Sequence, residues 1–266
     1  MRRLQDRVAV VTGGGQGIGK AIALAFAAEG AKVVVAARTL PNLEQTVAEI
    51  KAKGGEALAV QADITKEAQV ERMMAEAVGV FGQIDILVNN SGIGGPTSNV
   101  VDLNFDEWNE VISLDLSGTM LCCKHALKYM SPRQSGNIVN IGAEGGRSGD
   151  GRSGYAMRTP YCCAKMGVIG LTESLSQEVG PYNIRVNIVS PAAVKGERII
   201  NVFKGRAAAT GVPFDELMAN IAKDYSLKRI AEEEEVAAVA VFLASDESRI
   251  ITGQTIAAHC GVHVNF

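Results

Sequence analysis

The sequence predicts an α/β fold, a single doubly wound domain over residues 1–266 with a mostly parallel, seven-stranded sheet and helices on both faces. Three observations predict it. Short β-branched runs alternate with longer helical patterns, the order expected of strands joined by helical crossovers. Runs such as Val33-Val34-Val35 and Ile84-Asp85-Ile86-Leu87-Val88 are almost continuously apolar, as strands covered on both faces must be. The 29 glycines, against 7 prolines, gather at strand–helix junctions, where tight turns and close backbone approach to a ligand need them.

In chain order the strands are expected at Val8–Thr12, Lys32–Ala36, Ala57–Gln61, Ile84–Asn89, Asn137–Ile141, Ile184–Ser190 and Gln254–Ala257. Helices are expected near Gly19–Glu29, Leu43–Lys53, Lys66–Phe81, Asp106–Met130, Tyr161–Val179 and Glu233–Leu243. The acidic run Glu232–Glu235 opens the last of these and reads as a complement to the helix dipole. Two stretches break the pattern. One is the Gly/Ser/Arg-rich segment 144–160; the other is 192–227, with helical pieces at Ile199–Thr210 and Pro213–Lys223. Both follow the C-terminal ends of strands, where open α/β sheets bind ligands, so both are candidate substrate covers.

Composition narrows the function. A net charge of -3 offers no basic field for nucleic acid or an anionic membrane. No apolar run is long enough to span a bilayer, and no signal-peptide segment precedes the first strand, so a cytoplasmic protein is expected. The 5 cysteines form no C-x-x-C pair, and none of the 3 histidines lies in an H-E-x-x-H setting. Reduced thiols packed in helices are expected, and no metal site.

After the first strand comes Thr12-Gly13-Gly14-Gly15-Gln16-Gly17-Ile18-Gly19, leading directly into a helix. Glycines here let backbone N–H groups and the helix N-terminus approach a pyrophosphate, the Rossmann arrangement. The second strand ends Ala36-Ala37-Arg38, with no acidic residue to hold both ribose hydroxyls. Arg38 can grip a 2′-phosphate in two-pronged fashion, so NADP(H) is favoured over NAD(H). Tyr161 and Lys165 lie one helical turn apart and project from one face. A nearby ammonium and a positive nicotinamide both stabilise a phenolate, which equips Tyr161 to exchange a proton with an alcohol or carbonyl.

The spacing T-G-x-x-x-G-x-G resembles the short-chain dehydrogenase/reductase fingerprint. Further motifs follow in that family's order: Asp63, Asn89-Asn90-Ser91-Gly92, Tyr161-x-x-x-Lys165, Ile184-Arg185-Val186-Asn187 with Pro191, and Ile251-Thr252-Gly253-Gln254. The resemblance runs from about residue 6 to 258 and implies an NAD(P)-dependent oxidoreductase acting on an alcohol or carbonyl, of a small substrate that the basic residues near the pocket suggest is polar. It implies cofactor contacts at Gly13, Gly15, Gln16, Gly17, Ile18, Gly19, Arg38, Asp63, Ile64, Asn90, Ser91, Gly92, Tyr161, Lys165, Pro191 and Val194. It also implies a homotetramer, or failing that a dimer, joined through the helices of Asp106–Met130 and Tyr161–Val179.

Two of the family's catalytic residues are missing. The fifth strand ends Ile141-Gly142-Ala143-Glu144 where a serine is usual, and the helix before it carries Asp115 where an asparagine is usual. The stretch between Ala143 and Tyr161 is several residues longer than in the family, and offers Ser148, Ser153 and Tyr155 as replacement hydroxyls. The candidate catalytic set is therefore Tyr161, Lys165, Asp115 and Glu144. Arg147, Arg152, Arg158, Lys195 and Arg198 surround the expected pocket in sequence, as an anion site or as plain solvated charges. The double loss keeps a second reading open: a cofactor-binding relative with non-redox acid/base activity, or with a sensing or scaffolding role.

Overall fold

Helical crossovers impose one strand direction, and the computed structural model of the chain has it throughout. The structure describes residues 2–143, 154–221, 223 and 225–261. The strands are β1 Val8–Thr12, β2 Lys32–Ala37, β3 Ala57–Gln61, β4 Ile86–Asn89, β5 Gly136–Ile141, β6 Ile184–Pro191 and β7 Thr255–Ala258. They form one sheet in the order β3-β2-β1-β4-β5-β6-β7, and every pairing is parallel. Val10 on β1 stands opposite Val34 on β2 and Leu87 on β4, so the order reverses between β1 and β4. That reversal opens a crevice beyond the strand ends.

The helices are α1 Gly17–Ala28, α2 Leu40–Ala52, α3 Glu67–Phe81, α4 Phe105–Val111, α5 Gly118–Met130, α6 Thr159–Val179, α7 Glu197–Thr210, α8 Phe214–Asn220 and α9 Glu233–Ala244. They bury two apolar layers. On one face Ile22 and Phe26 of α1 and Ala240 and Val241 of α9 pack on Val11, Val35 and Val139. On the other, Met73 and Met74 of α3 and Cys122 and Ala126 of α5 pack on Val10, Leu87 and Ile138. Each large side chain so buried contributes roughly 1.5–3 kcal/mol.

Two of the differences from the expected elements have a clear physical cause. The fourth strand begins at Ile86 because Asp85, placed inside it by its apolar neighbours, accepts from the Val8 N–H (2.8 Å) and pairs with Arg133 (2.7 Å). The helix expected over Asp106–Met130 is broken by a π-turn, Ile112–Ser117, between α4 and α5. Such turns insert a residue and re-aim a side chain, often beside a functional site. Elsewhere, Glu235 accepts from the Glu232 N–H (2.9 Å) at the start of α9, so the acidic run caps the helix as well as complementing its dipole. No described helix is long and apolar enough to cross a membrane, and no described His/Cys/Asp/Glu group is placed to hold a metal.

Candidate active site

Beyond β1 the chain turns sharply to start α1, and the turn tolerates no side chain at its tightest points. Gly13 has φ +66°, and a Cβ there would lie 2.7 Å from the Asn90 amide nitrogen. A Cβ on Gly19 would collide with the Gly13 carbonyl. Asn90 fastens the end of β4 to this turn, donating to the carbonyls of Thr12 (3.1 Å) and Gly13 (3.2 Å). The Thr12 hydroxyl accepts from the Asn90 and Ser91 N–H groups at 3.0 and 3.1 Å. Gln16 precedes α1 without capping it through its side chain, and the first turn of α1 holds no acidic residue. The helix N–H groups of Gly17, Ile18 and Gly19 are thus presented to an anion.

At the far end of the crevice Arg38, Gln61, Asp63, Gln69 and Arg72 line an open depression of about 320 Å³. Burial pushes the Asp63 carboxyl up, but hydrogen bonds from the Thr65 N–H and hydroxyl, with Arg38 and Lys66 nearby, outweigh it and hold the group below its ordinary range. Arg38 is exposed, at the end of β2. Ile64 turns its side chain into the core beside Gly118. A backbone cradle for a pyrophosphate, an acidic side chain for a base and a basic one beyond β2 form a donor set that fits a dinucleotide.

The chemistry-bearing side chains gather where β4, β5 and α6 meet the π-turn. Asp115 is fully buried in that turn and accepts from the Ile93 N–H (2.8 Å), bracing the loop after Ser91 and Gly92. Its second oxygen has no hydrogen-bond partner among the described residues and lies 3.6 Å from the Lys165 ammonium. Lys165 is buried on α6, donates to the Ile141 carbonyl at the end of β5 (3.0 Å) and lies 5.8 Å from the centre of the Tyr161 ring. Two more cations reach that ring: Arg158 at 5.3 Å and Arg198, from the first turn of α7, at 5.8 Å. Arg158 is buried and donates to the Gly94 carbonyl (2.6 Å). Burial pushes its guanidinium down; Tyr161 opposes that shift and Arg198 adds to it.

Pro191 ends β6 in the interior, and Val194 pairs with Ala231 ahead of α9. Ala143, in the position where a serine would be usual, is buried with only a methyl group to offer. Glu144, Ser148 and Ser153, with Arg147 and Arg152, lie outside the described residues. Tyr155 is exposed, and its backbone N–H donates to the Cys162 sulfur (3.2 Å).

The family model described as enoyl-(acyl carrier protein) reductase matches residues 13–263. A short-chain dehydrogenase/reductase of Armillaria gallica is 38% identical over 260 residues, covering 97% of this chain and 96% of that protein. The chain belongs to the short-chain dehydrogenase/reductase family. A 3-oxoacyl-(acyl-carrier-protein) reductase of Staphylococcus epidermidis is 35% identical over 260 residues, 97% of this chain and 100% of that protein. The crystal structure of an NAD+-bound xylitol dehydrogenase superposes with a TM-score of 0.93 at 28% identity, covering 97% of this chain and 100% of that one. As a family member the chain is an NAD(P)-dependent oxidoreductase interconverting alcohols and carbonyls.

Several of the expected residues meet from distant segments: Asn90 and Ser91 bond to the end of β1, Asp115 braces the loop after Gly92, and Lys165 lies against Asp115 and Tyr161, while Asp63 stands apart beside Arg38. Two features escape the sequence. Arg158 and Arg198 belong there to a wider set of five basic residues, an anion site or plain solvated charges, and nothing in their spacing points to a shared ring. Glu233, an ordinary member of an acidic run, sits close to the cofactor turn: Cβ atoms on Gly17 and Gly196 would lie 3.6 and 2.7 Å from its Oε1.

Proposed function

We propose that the chain is an NADP(H)-preferring dehydrogenase/reductase for a small polar substrate, with Tyr161 as acid/base. The observation that carries this reading is the position of Tyr161 beside a buried Lys165, on a helix that leaves the same strand ends as the glycine turn. The cofactor preference rests on Arg38 and Arg72, which flank the depression beyond β2 where no acidic residue ends the strand. When bound, the nicotinamide supplies or accepts the hydride. Tyr161 holds the proton that passes to or from the substrate oxygen. Lys165 contributes a positive field at the ring, and its bond to the Ile141 carbonyl fixes where that field originates. Asp115 partly offsets the field and braces the loop after β4. Gly13, Gly15, Gln16, Gly17, Ile18, Gly19, Asn90, Pro191 and Val194 form the walls along which the dinucleotide would lie, and segment 192–227 covers the substrate.

The reading includes a cytoplasmic location, supported by five free cysteines, and a homotetramer joined through α5 and α6. That contact is supported by Met120, Cys163 and Met166, which those helices leave exposed. The test is a titration with NADPH and NADH followed by single-turnover assays on a carbonyl panel. Tyr161→Phe is expected to lower turnover by roughly 10²–10⁴-fold, with cofactor affinity retained. Tight NADPH binding without turnover of any carbonyl or alcohol would instead favour a non-redox or sensing role, a reading that the bare methyl of Ala143 supports.

A further inference from the structure

Three cations surround the ring of Tyr161, and one of them has a carboxylate in place. Lys165 is answered by Asp115. Arg158 and Arg198 make no ion pair with any described residue. For Arg198, on the exposed side of α7, water can suffice. Arg158 is different. It is 9% exposed, and of its five N–H donors one is accounted for by the Gly94 carbonyl. Its remaining guanidinium nitrogens reach solvent, yet most of the group is desolvated and no described carboxylate neutralises it, a cost that one carbonyl and one aromatic face do not cancel. A ring has two faces, so a third cation beside it gains little from the ring itself.

The two arginines come from separate elements, which argues against accidental neighbours along one helix. Arg158 precedes α6, its backbone held by bonds from its N–H to the Tyr155 carbonyl (3.2 Å) and from the Cys162 N–H to its own carbonyl (3.0 Å). The 94–98 loop is tied to the same turn through the Ser98 N–H and the Met157 carbonyl (3.0 Å). Arg198 arrives from a separate element, the first turn of α7. A guanidinium presents a planar fork that matches a carboxylate. We propose that Arg158 and Arg198 form an anion-binding pair within the substrate pocket, and that the substrate is an oxo acid or the corresponding hydroxy acid.

This assignment rests on the oxidoreductase reading and specifies its substrate. The reaction balances simply: the carbonyl carbon gains a hydride from the reduced nicotinamide, and its oxygen gains a proton from Tyr161. The product is the hydroxy acid, the nicotinamide leaves oxidised, and the carboxylate is unchanged.

The experiment compares 2-oxobutanoate, 3-oxobutanoate and 4-oxopentanoate with their neutral amides on the full-length, NADPH-loaded protein. Steady-state kinetics is paired with calorimetric titration of each acid. At least one acid is expected to exceed its amide in kcat/KM, and Arg198→Met is expected to cut that preference roughly 10- to 100-fold through KM. Arg198→Lys should recover part of it. Arg158→Met is the stronger perturbation, and Arg198, being exposed, keeps the test sound if that variant folds poorly. Amides turned over as well as acids, with Arg198→Met affecting both alike, would overturn the pair and leave the oxidoreductase intact. Acids that bind through Arg198 without turnover would sustain the pair and overturn the oxidoreductase. No binding of any of the three acids, or preference for glycerone phosphate over all of them, would overturn the carboxylate assignment.

Discussion

Replacing Asp115 with asparagine changes one oxygen to an amide nitrogen and removes one charge from a pair that water does not reach. Asp115 is 0% and Lys165 4% exposed, with 3.6 Å between carboxylate and ammonium. Near that separation, at an effective dielectric of about 20, the attraction amounts to about 4 kcal/mol, and burying the ions costs several kcal/mol each. The intact pair is therefore close to neutral for stability, while breaking it is not. Asp115→Asn leaves the ammonium with only the Ile141 carbonyl, and such losses cost about 3–5 kcal/mol. Because the asparagine oxygen can still accept from the Ile93 N–H, the low end, about 3 kcal/mol, is expected. Lys165→Met should cost a similar amount. The double variant should cost about 3 kcal/mol, well short of the summed losses, because its partners are removed together. Urea unfolding of the cofactor-free protein at one fixed concentration measures all three. Single losses below about 1 kcal/mol that simply add would refute the reasoning and mean that solvent screens the pair. Turnover gives a second check. Without the carboxylate, the Lys165 field at Tyr161 is no longer offset, so kcat of Asp115→Asn should rise as its stability falls.

Ala143→Ser restores a hydroxyl at the end of β5 and should raise kcat by about 10²-fold if that position faces the substrate oxygen; unchanged single-turnover rates would place the oxygen elsewhere. Arg38→Glu should weaken NADPH binding by roughly 10- to 100-fold while sparing NADH, and fluorescence titration that finds both weakened alike would remove Arg38 from the cofactor site. Two glutamates of α9 should respond to pH in opposite senses. Hydrogen bonds from Arg229 and the Glu232 N–H pull Glu235 to about 2, so its contribution to stability is present above pH 4.5 and is lost on acidification toward 2. Desolvation, with Glu234 and Glu232, holds Glu233 above its usual 4.5, so its contribution is full below that value and is lost as pH rises through the folded-state value. In thermal unfolding across pH, Glu235→Gln should flatten the acid limb and Glu233→Gln the limb above pH 4.5; identical profiles for the two would refute both assignments. Removing the Glu233 carboxylate from beside Gly17 should also tighten cofactor binding.

The strands were legible because burial on both faces leaves a local signature, and Val33-Val34-Val35 carries it without help from the rest of the chain. The glycine turn was legible for a related reason. Gly13 and Gly19 answer to the backbone and to Asn90, so their spacing encodes the geometry directly. The π-turn at Ile112–Ser117 left no comparable trace, since its buried positions, Leu114 and Asp115, continue the helical spacing of Val111 and Gly118 on either side. Nor could spacing reveal that Arg158, ahead of α6, and Arg198, in α7 beyond β6, meet at one ring. That meeting is a tertiary event, and it changes how the lost serine should be understood. A serine at Ala143 would have supplied one neutral donor to the substrate oxygen. Around the tyrosine the described side chains include two guanidiniums, one of them buried, and a carboxylate that pairs with the lysine. A neutral donor suits a neutral carbonyl, whereas a cationic pocket gains most from a substrate that brings its own negative charge. On that reasoning, the departures at Ala143 and Asp115 and the presence of Arg158 belong to a single change in substrate class. Ala143→Ser combined with Arg158→Met should then shift preference from acids toward neutral carbonyls by more than either substitution alone.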